Sequence, residues 1–485
     1  MKLKTINKPT DILFVNPPSA FGAYASTKVE VFKQVFPLLS FMSLSAYVRQ
    51  GGFSAAVLDL GIETNPYDLL RDKLKELKPK FIGITSTTPL FFEVADISKI
   101  SREMLKQDVK IIYGGPHATA LPQESLENSE ADIAVTGEGE QTLLEILQGK
   151  KPSDIKGISY KEGKSILSTP PRDFINNLDS LPFPDISFYD INRYHCSKLV
   201  NRGTPVLHME TSRGCPNNCS FCNKSIFRRQ FRTKSPQRVV DEMKYFIKAG
   251  AGELRVIDDQ FAADIKRAKE ICRLIIKENI KVPWNLGAGI RVDRSDQEFL
   301  DLAKRAGCYQ VGIGFESGDQ ESLNSIDKGV TLEQAAKCME MVKKSGLESV
   351  GFFMLGLPVD TEESMKRTIT FAIKMMPTYA KATVTLPLPG TRLFAQYEKE
   401  GRIKTRDWSK YNFHKIADVY EHPNLSQETL RKYYNLFYRA FYFNPHFLAM
   451  RLLKSLREHT FWRDVYYGIK TFLPDLVSII KLKNN

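Results

Sequence analysis

The sequence predicts an α/β chain: a doubly wound parallel sheet first, a partial barrel of six strand-helix units second, and a helical extension last. Three observations carry this. Residues 11 to about 149 alternate short apolar runs with helical stretches, the rhythm of parallel strands joined by crossover helices. A second alternation, with six strand-like runs, starts at 207 and ends near 386. From 425 to 480 apolar residues, many of them aromatic, recur at helical spacing. A chain of 485 residues exceeds one ordinary core, and the expected divisions are 1–150, a linker over 151–200, 201–400 and 401–485.

In the first domain the strands read 11–16, 55–60, 81–86, 110–114 and 133–137, with helices such as 37–50 and 93–106 between them. Ligands of such sheets sit outside the carboxyl ends of the strands. Those ends carry Asn16-Pro17-Pro18, Ser86-Thr87-Thr88, Gly114-Gly115-Pro116-His117 and Gly137-Glu138-Gly139-Glu140. Small residues and prolines there either make room for something large and flat or make tight turns. The stretch 151–200, with Pro170-Pro171 and the run from Asp179 to Asp185, lacks sustained periodicity and reads as linker. It is long enough for the first domain to fold over the mouth of the second. His195 and Cys196, within it, read as structural.

The second-domain strands read 207–211, 253–258, 284–289, 310–315, 349–354 and 382–386. Chemistry in barrels of this kind gathers at the C-terminal strand ends. Directly after the first strand comes Arg213-Gly-Cys-Pro-Asn-Asn-Cys-Ser-Phe-Cys-Asn223. Cys215, Cys219 and Cys222 can wrap one face of a small metal cluster. Tetrahedral zinc or a fully ligated cluster wants a fourth ligand, yet the next cysteine, Cys272, lies fifty positions on in a helical pattern. One metal corner is left for an exogenous bidentate ligand; a zinc knuckle is the competing reading. Later strand ends also carry polar or glycine-rich signals, at Asp258, Arg291 and Glu316.

The CxxxCxxC spacing resembles the radical S-adenosylmethionine (SAM) superfamily. The resemblance implies a [4Fe-4S] cluster on Cys215, Cys219 and Cys222, with the amine and carboxylate of SAM on the fourth iron. Gly314-Phe-Glu-Ser-Gly318 resembles a SAM-binding signature of that superfamily, and Gly351 to Pro358 resembles its adenine-recognising segment. SAM contacts are accordingly expected at Phe221, Asp258, Arg291, Glu316 and Gly356. Val359 stands where the family has Gly. Asn16-Pro-Pro, Gly114-Gly-Pro-His-Ala118 and Gly137-Glu-Gly-Glu140 resemble the Rossmann- or flavodoxin-like cobalamin (B12) domain fused to many radical SAM enzymes. That implies a corrin at the strand ends, near Pro17, Ser86, Thr87, Gly114, Gly115, Gly137 and Glu138. No Asp-x-His-x-x-Gly follows the first strand, so no His is offered as lower axial ligand. The resemblance then implies a cobalamin-dependent methyltransferase: a 5′-deoxyadenosyl radical takes hydrogen from an unactivated carbon, which captures methyl from methylcobalamin. An oxidative cyclase or ring-rearranging oxidoreductase shares the architecture, and a cobalamin- or metal-binding regulator is the non-enzyme alternative. A tRNA methylthiotransferase would need three further cysteines before Cys196, and there are none.

Composition sets the remaining bounds. Hydrophobic content of 42% and charged content of 26% are those of a globular protein. The sequence shows no apolar run long enough to span a bilayer and no signal-peptide core. Seven cysteines, three in one motif, make no disulfide framework. Together with an oxygen-sensitive cluster this points to the cytoplasm. Residues 401–485 hold 15 Lys or Arg against 7 Asp or Glu, much of the formal +13. With the aromatic residues Tyr433, Tyr434, Phe437, Tyr438, Phe441, Tyr442, Phe443, Phe447, Phe461, Trp462, Tyr466 and Tyr467, this segment reads as helices packed on the barrel. Peripheral contact with an anionic membrane, and a hydrophobic or lipid-like small-molecule substrate met there, is the second reading. No nucleic-acid module accompanies the charge. The electron for SAM cleavage calls for a donor such as flavodoxin or ferredoxin.

Overall fold

The computed structural model describes residues 10–19, 35–194, 196, 201–412, 416, 418–457, 460–462 and 465–466. His195 and Tyr467 lie outside them.

The first sheet opens with five parallel strands, β1 (Ile12–Asn16), β2 (Ala55–Asp59), β3 (Phe81–Thr85), β4 (Lys110–Gly114) and β5 (Ile133–Val135), in spatial order 2-1-3-4-5. Their near-continuous apolar runs are buried on both faces by helices α1 (Leu39–Gln50), α2 (Pro66–Leu77), α3 (Phe91–Leu105), α4 (Pro116–Ala120), α5 (Pro122–Glu127) and α6 (Glu140–Leu147). The order reverses between β1 and β3, which opens the crevice where ligands of such sheets bind. Two more strands, β6 (Ile158–Glu162) and β7 (Ser165–Ser168), extend the sheet antiparallel beyond β5. They lie inside the stretch expected to be linker. Their alternation is short and largely polar because β7 is an exposed edge, and the hairpin turns on Gly163 at φ +60°.

Irregular chain follows, punctuated by single 3₁₀ turns. Asn177, Asp185 and Asp190 each accept a hydrogen bond from the backbone N–H two residues on, the local closure that short polar side chains favour over helix. The last turn ties back to the first domain, where Tyr194 Oη donates to Asp59 Oδ2 at 2.8 Å.

The second sheet is six parallel strands: β8 (Val206–Met209), β11 (Glu253–Val256), β12 (Trp284–Ile290), β13 (Cys308–Glu316), β14 (Glu348–Leu355) and β15 (Tyr379–Val384), neighbours in chain order. A two-residue pair, β9 (Ser212–Arg213) with β10 (Arg232–Thr233), sits between β8 and β11. Helices α7 (Pro236–Lys248), α8 (Ile265–Lys277), α9 (Gln297–Arg305), α10 (Gln320–Ser325), α11 (Leu332–Lys344) and α12 (Glu362–Met375) form the outer layer, and α13 (Arg392–Lys399) follows β15. The core between strands and helices takes alternate strand residues, such as Leu207, Leu254, Leu286, Val311, Phe353 and Ala382. The residues between them face the lumen.

A partial barrel leaves β15 with an open edge. Helix α14 (Gln427–Tyr442) covers it, burying Leu430, Tyr433, Phe437 and Phe441 on one face. Tyr438 Oη accepts from Ala382 N at 3.2 Å and donates to Ala382 O at 3.0 Å. Tyr442 does the same at Ala380, at 3.2 and 2.9 Å. Two phenols one helical turn apart thus satisfy two edge residues spaced by two, which answers the edge-strand liability with side chains. Helix α15 (Pro445–Arg457) follows. Among the described residues no helix is long and apolar enough to cross a membrane.

Candidate active site

The loop carrying Cys215, Cys219 and Cys222 leaves β9 and returns through β10, so the two-residue ladder pins both of its ends. Gly214 opens the loop at φ +80°, and a Cβ there would meet Gln230 O at 2.3 Å, so no other residue fits. The sulfurs are free thiols. Asn217 Nδ2 donates to Cys215 Sγ at 3.2 Å, and Arg291 Nη1 lies 4.0 Å from Cys219 Sγ. Although Cys222 reaches the surface, the surrounding protein pushes its thiol up to about 12, chiefly by desolvation; Asp259 and the other two cysteines add to the shift. A free thiolate at Cys222 is therefore disfavoured here, and a cation is what would stabilise it. No three His, Cys, Asp or Glu side chains among the described residues converge as a single ion requires. A cubane takes one thiolate at each of three separate irons and needs no such convergence.

Beneath the loop, Asp258 at the end of β11 is fully engaged by protein. It accepts from Thr211 N at 2.6 Å, Thr211 Oγ1 at 2.5 Å and Ser212 Oγ at 2.5 Å. These bonds brace the strand that feeds the cluster loop. Arg291 forks onto Asp293, with Nε to Oδ1 at 2.8 Å, and holds its guanidinium beside the cluster cysteines. Glu316, at φ +60°, is buried and paired to Lys328 through Oε1. A non-glycine residue held in the left-handed region is the kind of strain that collects at functional sites. Phe221 packs against Ile326, Met354 and Leu357. Gly356, at φ +75°, leaves no room for a Cβ because Leu430 of α14 would lie 2.6 Å away. Val359 carries no positive φ; Asp360 closes that turn by accepting from Leu357 N at 2.8 Å. The turn needs its special residue at 356, not at 359.

At the carboxyl ends of the first sheet, Asn16 Nδ2 donates to Asp59 Oδ1 at 2.7 Å, and Pro17 follows, buried. Ser86 Oγ and Tyr113 Oη share a hydrogen bond at 2.7 Å. Thr87 Oγ1 is buried without a partner among the described residues. Gly115 sits at φ +97°, where a Cβ would meet Thr85 Oγ1 at 2.5 Å; Gly114 and Gly137 complete the small-residue rim. His117 is buried between Phe91, Tyr113 and Trp408, and desolvation lowers its pKa to about 4.

Glu138 is engaged by protein on every side. Both oxygens are taken: Arg213 Nη1 donates to Oε1 at 2.7 Å, Arg232 Nη1 reaches both at 2.9 Å, and Ile175 N donates to Oε2 at 2.9 Å. Glu140 Oε1 accepts from Arg213 Nη2 at 2.7 Å, and Glu210 Oε1 from Arg213 Nε at 2.8 Å. Arg213 and Arg232 are the facing residues of the β9–β10 ladder. The Gly-Glu-Gly-Glu turn therefore clamps the first domain to the base of the cluster loop. Sequence reading missed the two arginines, separated from Glu138 by 75 and 94 positions; their position flanking the cysteine loop was the available signal.

The Radical SAM superfamily profile matches residues 209–372, and the B12 binding domain profile matches residues 26–147. An uncharacterized methyltransferase of Pyrococcus horikoshii is 31% identical over 459 residues, spanning 93% of this chain and 96% of its own. The chain belongs to the cobalamin-binding radical SAM family. The anaerobic magnesium-protoporphyrin IX monomethyl ester cyclase of Rubrivivax gelatinosus is 28% identical over 85% of this chain and 75% of its own. The solved structure of the cobalamin-dependent SAM radical enzyme OxsB with aqua-cobalamin shares the fold, with a TM-score of 0.72 at 18% identity, covering 96% of this chain and 72% of that one.

This radical SAM enzyme uses a [4Fe-4S] cluster, SAM and cobalamin. Its own residues fit them. Three thiols on one pinned loop offer soft donors with no fourth cysteine beside them. Gln260, 1% exposed at the end of β11, has both amide atoms unpartnered among the described residues, as does Thr87 Oγ1 at the first sheet. Buried polar groups without partners call for a ligand or water. The glycine rim at 114–115 lets a flat ligand approach the backbone.

Proposed function

We propose that the enzyme transfers a methyl group to an unactivated carbon of a small molecule. The observation that carries this is the clamp: the B12 domain is fixed by buried ion pairs to the base of the cluster loop. When bound, the cluster and SAM supply a carbon-centred radical and cobalamin supplies a transferable methyl group. The chain's part is placement. Cys215, Cys219 and Cys222 hold the cluster, Arg291 keeps a positive charge beside it, and the Glu316–Lys328 pair presents fixed charge at the lumen rim. The near full-length likeness to a methyltransferase supports this reading.

A hydrophobic substrate is supported by α15, whose Leu448, Leu452, Leu453 and Leu456 are exposed on a strongly basic segment. An oxygen-sensitive cluster supports a reducing compartment and a flavodoxin- or ferredoxin-type donor. The likeness to a cyclase favours a second reading, oxidative ring closure without methyl transfer. Anaerobic reconstitution with methyl-labelled SAM separates the two. Methyl transfer places label in the product, and 5′-deoxyadenosine with an unlabelled product would overturn it in favour of the cyclase.

A further inference from the structure

Between Cys215 and Cys219 the loop offers its carbonyls to cations. Arg229 donates to Pro216 O through both Nε and Nη2, at 3.2 Å each. Lys224 Nζ donates to Asn217 O, and Arg392 Nη2, at the start of α13, donates to Asn218 O. Three successive carbonyls within one cysteine spacing thus each accept from a different cationic side chain. The next two are closed by backbone alone: Cys222 N reaches Cys219 O at 3.4 Å, and Leu393 N donates to Ser220 O at 3.0 Å. Chain after the third cysteine bends to bring the cations there. Asn223 Oδ1 accepts from Ser225 N at 2.8 Å, and Arg228, at φ +50°, donates its N–H to Lys224 O at 2.7 Å, a turn that returns Arg229 to Pro216.

These charges are weakly compensated. Among the described residues no carboxylate pairs with Lys224 or Arg229, whose contacts are the loop carbonyls. Asp259, which accepts from Gly214 N, feels the charge of Lys224 without pairing to it. Arg392 has an acid partner, Asp327, in a pair half exposed on both sides. Arg291 differs: it lies 4.0 Å from Cys219 Sγ but is forked onto Asp293. Asn217, whose carbonyl Lys224 holds, donates Nδ2 to Cys215 Sγ at 3.2 Å, so Lys224 fixes a residue that touches a ligand sulfur. Pro216 and Asn218 are exposed, and water satisfies an exposed carbonyl. Three cations exceed what hydrogen bonding alone requires of such a loop.

We propose that Lys224, Arg229 and Arg392 are positioning residues that act through the loop they hold to make the cluster on Cys215, Cys219 and Cys222 easier to reduce. A cubane on three thiolates is anionic and becomes more so when it gains one electron, which an external donor loses; no proton moves and no bond breaks. Fixed positive charge and hydrogen bonding around the sulfurs favour the reduced form. Anchoring each cation on the loop backbone keeps that charge beside the cysteines instead of in solvent. Partial exposure screens it, so each unpaired cation changes the reduced-to-oxidised ratio at fixed potential about tenfold, about 59 mV for one electron. Arg392, partly neutralised by Asp327, contributes less. The inference rests on the cluster assignment and not on methyl transfer.

The reduction midpoint of the anaerobically reconstituted holoenzyme is measured without SAM or substrate. The paramagnetic signal of the reduced cluster is followed as titanium(III) citrate is added, and iron content is assayed in parallel. Lys224→Gln and Arg229→Gln keep an N–H donor for the loop carbonyl and lose the charge. Each lowers the midpoint by about 59 mV, and the difference from wild type narrows as salt rises. Lys224→Arg and Arg229→Lys keep charge and donor and stay at the wild-type value. Asp327→Asn frees the Arg392 charge and raises the midpoint, the direction opposite to removing a cation, while Lys164→Gln, at an exposed site, leaves it unchanged. Wild-type midpoints in both Gln variants at full iron content would overturn the proposal. So would an equal fall in the charge-conserving variants, the mark of a loop that needs only its bonds. Should a Gln variant lose its cluster, Asp327→Asn decides, since it leaves all three carbonyl contacts in place, and no rise there overturns the proposal. A wild-type chain that takes up no iron would refute the cluster assignment, and the inference with it.

Discussion

Removing the Glu138 carboxylate tests the clamp directly. Glu138→Ala deletes the shared partner of two buried arginines and the acceptor of Ile175 N. Arg213 keeps Glu140 and Glu210, whereas among the described residues Arg232 keeps only Ile175 O at 2.8 Å and the faces of Phe174 and Phe227. Breaking a buried pair from one side costs about 3–5 kcal/mol, and because Arg213 keeps two partners the lower half of that range is expected, about 3 kcal/mol. Since β9–β10 is only two residues long, the cost falls on the cluster loop. Hydrogen exchange of amides in 213–233 then accelerates by about two orders of magnitude, one order for each 1.4 kcal/mol. A double-mutant cycle with Arg232→Gln, read by exchange so that no two-state unfolding is assumed, returns a coupling above about 1 kcal/mol. Unchanged exchange in 213–233 with additive single effects would refute the clamp.

Other outcomes follow from single residues. Cys219→Ala abolishes both the cluster absorbance of reconstituted protein and 5′-deoxyadenosine formation; retained cleavage of SAM would refute the cluster assignment. His117 titrates at about 4 in the folded chain against 6.5 ordinarily, so below pH 6.5 the unfolded chain gains a proton that the folded one refuses. Its contribution, present above pH 6.5, is lost as pH falls toward 4, by about 3 kcal/mol in all, and urea titrations of His117→Gln show a flatter acid limb. Tyr438→Phe removes both edge bonds at Ala382, costs about 1–2 kcal/mol and speeds exchange of the Ala382 amide, with Tyr442→Phe acting at Ala380. Gly214→Ala, clashing with Gln230 O at a left-handed φ, lowers iron occupancy after reconstitution.

Much of the fold was legible because its signals are local. Apolar runs of five residues separated by helical periods report parallel strands directly, and all eleven parallel strands fall where the alternation placed them. The hairpin at 158–168 escaped because an exposed edge strand such as Ser165–Ser168 has no buried face to write a pattern. In the site, the cysteine spacing is a contiguous signal and reads from sequence alone. Asp258 and Glu138 show the limit: a carboxylate at a strand end is legible, but the protein donors that hold it are not. Those donors, Thr211 and Ser212 in one case and Arg213 and Arg232 in the other, come from segments 46 to 94 positions away.

The phenols of α14 stand where a seventh strand would otherwise hydrogen-bond. Chain ending near residue 425 would keep every strand of the barrel and yet bare the Ala380 and Ala382 amides and carbonyls along one flank. Two such molecules would present the same flank to each other, and backbone pairing between copies would replace the missing helix. The C-terminal extension thus covers this flank, and a shortened chain is expected to elute with a larger share of dimers and higher species than the full chain.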